Sequence, residues 1–277
     1  MIMVTGATGN LGRPLIARLA AEGAKVRALT RDPGRAALPE GVEACPTARP
    51  DFAGVDAVLL NIAGVAETLD AFLDAARAAG VPRIVTLSTL LVAEEPDAAP
   101  GSTAALHRGL ERAVEAAVPQ WTHLRAGAFA SNALQWRPQL RSGDVVRGPY
   151  AEARTAPLDE SDLAAVAVRA LLEDGLLGRA PVLTGPEDLT TARQVEILGR
   201  VLGRSLRYEE LDPRSARRAL LAMAPWAQEA AVDSMLGYLA RTVGRPARVT
   251  TETADILGRP ARTFAQWAAA RAEAFAD

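Results

Sequence analysis

The chain has 277 residues, enough for one large domain or two closely joined ones and for a sizeable core. Hydrophobic residues make up 49% and charged residues 23%, a globular balance, and the net charge of −2 with interleaved signs leaves no basic field for nucleic acid or an anionic membrane. Cys45 is the single cysteine, which excludes an internal disulfide and favours a reducing cytoplasm.

A strand-like run begins within two residues of Met1, leaving no room for a signal peptide. Ile2 to Thr5 are apolar and β-prone, and Gly6, Gly9 and Gly12 follow in a G-x-x-G-x-x-G spacing. Leu15, Ile16 and Leu19 then fall on one helical stripe that Gly23 stops. Strand, glycine turn and helix in that order form a dinucleotide cradle: the glycines turn tightly, admit a pyrophosphate and let helix pack on strand. Thr5, Gly6, Ala7, Thr8, Gly9, Asn10, Leu11 and Gly12 are therefore the expected cofactor contacts, with the helix N-terminus toward the phosphates.

The next strand, "AKVRALTRDP", ends on Thr30 and Arg31, with Asp32 one step later. A guanidinium at that point forks onto a 2′-phosphate, so NADP(H) is expected over NADH; the alternative is that Arg31 caps a solvated loop. Arg13 is a candidate second phosphate contact. "VDAVLLNIA", "AETLDAFLDAARAAG" and "RIVTLST" repeat the strand–helix–strand alternation, which predicts a doubly wound parallel α/β sheet of the Rossmann kind. Strand ends bind the ligand in such sheets, so Asn61, Ile62, Ala63, Leu87 and Ser88 join the expected cofactor site, and Thr89 lies beside them. No metal site is expected, and no apolar stretch nears the roughly 18 residues of a bilayer span.

"TGATGNLG", "VRALTRDP", "GVDAVLL", "AAGVPRIVTLST", "THLRAGAFASNAL", "LDESDLAAVAVRAL", "LTGPEDLT" and "GRPARTFAQW" follow one another along the chain. In these motifs the sequence resembles the NmrA-like, atypical short-chain dehydrogenases/reductases nearly end to end. The resemblance implies an NADP-binding Rossmann core over 1–130. It also implies a smaller C-terminal α/β lobe for substrate over 131–277, with 155–185 returning to the core. The family holds both reductases and redox-sensing regulators.

Most of the wider superfamily carries a Tyr-x-x-x-Lys pair on the helix after the fifth strand, and neither Tyr150, Tyr208 nor Tyr238 has a lysine four residues on. In extended and atypical members a glutamate commonly follows the lysine by four. That register places His107 and Glu111 at the lysine and glutamate positions and Thr103 at the tyrosine position. An imidazole is a workable general acid or ribose ligand, whereas a threonine hydroxyl is too weak an acid to replace tyrosine. Two readings stand for His107: a proton donor and cofactor ligand, or a structural residue bonded to a neighbour. Ser88 sits where the superfamily places a hydroxyl for the substrate carbonyl, with Leu90 as the other occupant of that slot and turn capping as the plain alternative. His123, in a strand-like run, is expected to be packed rather than catalytic.

For the second half, the resemblance puts Phe129, Ser131, Asn132 and Trp136 at the floor of a pocket for a flat, partly polar substrate, alongside Thr89. Core packing is the other reading of Phe129 and Trp136. Asp159 and Ser161 are capping candidates, Thr190 an N-cap, and "LRYEELD" a short strand. Pro213 to Gly244 reads as helical, carrying Met223, Trp226, Met235 and Tyr238, one edge of which is a candidate lid. "VEACPTARPDFAGVD" lacks the family's Gly-Asp-Leu-type segment, which predicts a shortened third strand and altered adenine contacts.

The expected protein is cytoplasmic, a monomer or homodimer without nucleic-acid or membrane partners. It is read as an NADPH-dependent reductase of a ketone or quinone carbonyl on a small, aromatic or polyketide-like molecule. An arginine-rich, GC-rich coding style is associated with organisms where such ketoreductases serve secondary metabolism. The alternative is a non-catalytic NADP-binding redox sensor.

Overall fold

The computed structural model describes residues 1–223 and 229–275, which form two units. The first comprises Met1–Ala126, Glu160–Leu183 and Glu252–Arg259. Its strands are β1 (Ile2–Val4), β2 (Val26–Thr30), β3 (Glu43–Pro46), β4 (Ala57–Asn61), β5 (Arg83–Thr89) and β6 (Gln120–Ala126). They lie in the order β3-β2-β1-β4-β5-β6, every neighbouring pair parallel, and a strand at Val182–Leu183 adds to β6. This is the doubly wound sheet expected from the alternation, and its crevice lies between β1 and β4, where the order reverses.

Both faces of the sheet are covered, so the central strands are nearly continuous apolar runs. Helices α1 (Gly12–Ala21) and α6 (Glu160–Leu172) pack on one another. Helices α2 (Leu69–Ala78) and α4 (Thr103–Ala117) also pack together, and they flank a core in which Phe52 and Phe72 meet edge to face at 5.1 Å. A one-turn helix, α3 (Leu91–Glu94), and the short helix α5 (Arg137–Leu140) of the other unit complete this series. The Glu252–Arg259 segment, which the sequence alone leaves with the second half, is tied in by side chains. Glu252 accepts from the Val182 amide at 2.7 Å, and Arg259 pairs with the fully buried Asp162 at 2.6 Å.

At the sheet edge, β3 has four residues, the shortening expected from the prolines around it. Its Cys45 is buried, with Sγ donating to the Arg49 carbonyl at 3.5 Å.

The second unit comprises 127–159, 184–251 and 260–277 within the described residues. Strands β7 (Val145–Gly148) and β11 (Arg207–Glu210) pair in parallel, and β8 (Arg154–Thr155) pairs antiparallel with β10 (Leu189–Thr190), the intervening β9 being the Val182–Leu183 strand. Thr190 caps helix α7 (Thr191–Leu202) as expected, accepting from the Arg193 amide at 3.0 Å. Asp159, at the head of α6, pairs with Arg262 at 3.2 Å.

The core gathers Trp136, Val195, Leu198, Phe264, Trp267 and Phe275. Phe264 and Trp267 stack at 5.4 Å on the C-terminal helix (Phe264–Ala270), which a Thr263–Gln266 capping box starts. The expected long helical segment is two helices, α8 (Pro213–Met223) and α9 (Glu229–Thr242). Arg217 on α8 clasps Glu229 and Asp233, each at 2.6 Å. Trp226 lies outside the described residues.

Candidate active site

The glycine loop between β1 and α1 is built from close backbone approaches. Gly6 is left-handed, with φ of 62°, and a Cβ there would meet Asn61 Nδ2 at 3.0 Å. At Gly12 a Cβ would lie 2.3 Å from the Gly6 carbonyl and 2.6 Å from Ala7, so any side chain needs the backbone itself to move. The loop closes on itself by Gly9 N–H donating to Gly6 at 3.0 Å, and Arg13 N–H to Gly9 at 3.2 Å starts the helix. Thr8, Gly9 and Asn10 stay exposed at the head of α1. Thr5 and Asn61 lock the two strand ends across the crevice: the Asn61 amide donates to Thr5 Oγ1 at 2.7 Å, and that hydroxyl donates back at 3.2 Å. Asn61 Oδ1 then caps the turn at Ile62–Gly64 through the Ala63 amide. A cradle that any Cβ would fill, opening at a helix N-terminus, fits a dinucleotide's pyrophosphate.

Beside it is a cavity of about 340 Å³ lined by Ala7, Thr8, Arg13, Ile16 and Ala37–Pro39. Arg13 Nε is held by the Thr8 carbonyl at 3.0 Å, whereas Arg31 is exposed past the end of β2 with no partner among the described residues.

At the other side of the switch point, the end of β5 faces a buried charge. Ser88 and Arg125 are direct neighbours in the β5–β6 register, and both reach Glu111 on α4. Ser88 Oγ donates to Glu111 Oε1 at 2.6 Å, and Arg125 forks onto both carboxylate oxygens at 2.9 and 2.6 Å. Glu111 is 3% exposed. Burial pushes its carboxyl up, but the bonds from Arg125 and Ser88 push harder, and it ends below its ordinary value. The sequence places the Ser88 hydroxyl toward a substrate carbonyl; here its proton goes to Glu111.

One turn before Glu111, His107 is half-buried, and its Nδ1 is buried without a partner. Burial lowers its pKa, with Glu111 pulling partly back, so the imidazole is neutral at neutral pH. Thr103 is the first residue of α4, half-buried, and the cap at that end is Ser102, which accepts from the Ala105 amide at 3.2 Å. Leu87 is buried, Thr89 half-buried, and Leu90 is turned into the core. His123 is packed as expected, stacked on Trp121 at 4.6 Å and bonded to Glu115.

The second unit holds a cavity of about 590 Å³. Phe129, Ser131, Asn132 and Trp136 all line it, so four of the five expected pocket residues converge; Thr89 is not among its lining residues. Trp136 belongs at once to the cavity wall and to the core. The sequence did not single out Gln135, Leu220 or Leu239, which line it too. Tyr208 is in the wall, but its hydroxyl donates to the Pro149 carbonyl at 2.7 Å, and burial, with Glu210 adding, pushes its pKa far up. It is no substitute for the missing catalytic tyrosine. Among the described residues no group of His, Cys, Asp and Glu is arranged to hold a metal, and no helix is long and apolar enough to cross a membrane.

The NAD(P)H-binding family matches residues 6–174, the span that contains this cradle. The chain belongs to that family. Within it, the expected NmrA-like, atypical short-chain reductase relationship holds, and this NAD(P)H-binding family member is an NAD(P)H-dependent oxidoreductase. It is 43% identical to a (4-alkanoyl-5-oxo-2,5-dihydrofuran-3-yl)methyl phosphate reductase of Streptomyces griseus subsp. griseus, over 100% of this chain and 99% of that one. It is 31% identical to an NAD(P)H azoreductase of Xenophilus azovorans, over 99% of both. The Escherichia coli NADPH-dependent quinone oxidoreductase, solved in complex with NADPH, shares the fold with a TM-score of 0.77 at 24% identity, covering 98% of this chain and 99% of that one.

Proposed function

We propose that the protein uses NADPH in preference to NADH and reduces a ketone or quinone carbonyl on a small, ring-bearing molecule taken into the cavity of the second unit. The observation that carries the acceptor half is the cavity: its volume suits a small organic ligand, and Phe129 and Trp136 offer flat apolar walls beside the Asn132 amide. The carbonyl-bearing ring in the name of the Streptomyces relative supports the same class of acceptor. An open cavity also weighs against the non-catalytic sensor, whose support is the absent Tyr–Lys pair alone.

NADPH, when bound, supplies the hydride. The chain's own residues do the rest. The glycine loop and the head of α1 hold the diphosphate, and the Thr5–Asn61 lock fixes the crevice floor. Arg31, unpaired, takes the 2′-phosphate. His107 serves as a neutral donor at the cofactor ribose or to a water relay, and its orphaned buried nitrogen is what such a partner would satisfy.

The test is oxidation of NADPH by purified protein against quinones, polycyclic ketones and alkanoyl butenolide phosphates. Turnover with at least one class is expected; none, despite tight NADPH binding, overturns the reading. Arg31→Ala is expected to weaken NADPH about tenfold more than NADH, and equal losses refute the phosphate assignment. His107→Ala is expected to lower kcat about a hundredfold, and an unchanged kcat removes the proton role.

A further inference from the structure

The 590 Å³ cavity is lined by elements of different chemistry, with Gln139, Arg147, Gln194, Tyr208 and Tyr238 adding polar groups. One part is the 3₁₀ helix Ala130–Trp136, on which residues three apart eclipse one another. Asn132 and Gln135 are such a pair; both line the cavity, both are exposed, and neither side-chain amide has a partner among the described residues. Another part is the pair of helices α8 and α9, which pack on each other. Ala216, Ala219 and Leu220 of α8 recur at helical spacing along one face, as do Met235 and Leu239 of α9, and all five line the same cavity. The ion pairs between these two helices lie on a different stripe: Arg217, Glu229 and Asp233 bind each other and none of them lines the cavity. Met235 is 37% exposed, a large apolar side chain left in water at the cavity wall.

Free amides on the 3₁₀ helix and aliphatic side chains on α8 and α9 suit a ligand with two chemistries. We propose that the acceptor is amphipathic: its oxygen-bearing ring is bound by Asn132 and Gln135, and an alkyl tail lies on Leu220, Met235 and Leu239. The proposal rests on the reading of the cavity as the acceptor site and adds the tail and the residues that select it. Asn132 and Gln135 set ring affinity, because their donors and acceptors match carbonyl and hydroxyl groups. Helices α8 and α9 set tail length, because each methylene they take from water strengthens binding about fourfold.

The experiment measures a series of 2-alkyl-1,4-quinones, from no tail to a long linear tail, in two ways: equilibrium binding, through quenching of tryptophan emission with Trp136 in the wall, and NADPH oxidation. Dissociation constants and KM should both fall about fourfold per methylene and then level off. Leu220→Trp should abolish the gain from a long tail, leaving the tail-less ring unchanged. Met235→Asp, at a partly exposed position, should raise the long-tail constant about tenfold with the same indifference to the bare ring. Asn132→Ala should weaken tailed and tail-less quinones alike. Constants independent of tail length, or tail dependence that survives both the Leu220 and Met235 variants, overturn the proposal. Tail-dependent binding without turnover would leave it standing while overturning quinone reduction.

Discussion

On the proposed reading, the glycine loop of the first unit and the cavity of the second recognise ligands by opposite means. The loop does it with backbone: Gly12 is pressed so closely against the Gly6 and Ala7 main chain that a Cβ has nowhere to go, and Gly6 and Gly9 leave a Cβ only tight contacts, with the Asn61 side chain and the Gly6 carbonyl. The cavity does it with side chains, several of them exposed and several of them uncommitted. A backbone site binds what every homologous cofactor shares, a diphosphate, and tolerates almost no substitution. A side-chain site can be redrawn residue by residue without disturbing the chain around it. The difference explains how one architecture serves relatives whose names specify a butenolide phosphate, an azo compound and a quinone.

The sharpest way to break this contrast is in the first unit's buried charge. Arg125→Ala leaves the Glu111 carboxylate buried with Ser88 alone, and the expected cost is about 3–5 kcal/mol in denaturant unfolding. Arg125→Met with Glu111→Leu should recover much of it; a single variant as stable as the parent would show that the first unit is no more rigidly specified than the second.

Gly12→Ala comes next, with an expected loss of about 1–3 kcal/mol and of NADPH binding by calorimetry, since the loop must shift to admit the methyl group. Parent-like affinity would mean that the loop is as forgiving as the cavity.

The pH dependence is smaller. His107 and His123 both titrate below their ordinary 6.5, chiefly through burial, so the unfolded chain binds protons that the folded chain refuses. Stability should therefore fall as pH drops below 6.5. Glu111, held below its ordinary 4.5, keeps its contribution above that value and loses it as pH falls further. Thermal unfolding across pH should show this two-stage decline, and a flat first stage would contradict the burial of the imidazoles.

The smallest effect on the fold is expected at Asn132→Ala, within about 0.5 kcal/mol, even as KM for the acceptor rises. A destabilisation as large as that at Gly12 would erase the distinction.

The parts of this architecture legible in the sequence are those fixed by neighbours along the chain. The glycine spacing, the strand–helix alternation, the Thr190 cap and the short β3 all depend on local residues and appeared where expected. What the sequence did not display depends on register. Ser88 meets Arg125 because β5 and β6 pair in one alignment, and only then does Glu111 acquire two donors. The resemblance marked Glu111 as a position and gave no hint of its bonds. Likewise, Leu220 and Leu239 lie on separate helices, and only folding makes them face one cavity with Gln135. The one readable signal for Gln135 was its spacing of three from Asn132, which has meaning only once that turn is known to be 3₁₀.

Cys45 is the only thiol in the chain, and it is buried in the outermost strand at one end of the sheet. Alkylating reagents therefore see a single atom, and only during the moments when that edge peels from β2. The ratio of its modification rate to that of an open cysteine peptide is a free energy of edge opening, read without any introduced label. The molecule carries its own stopwatch for the strand next to the one that ends at Thr30, just before Arg31.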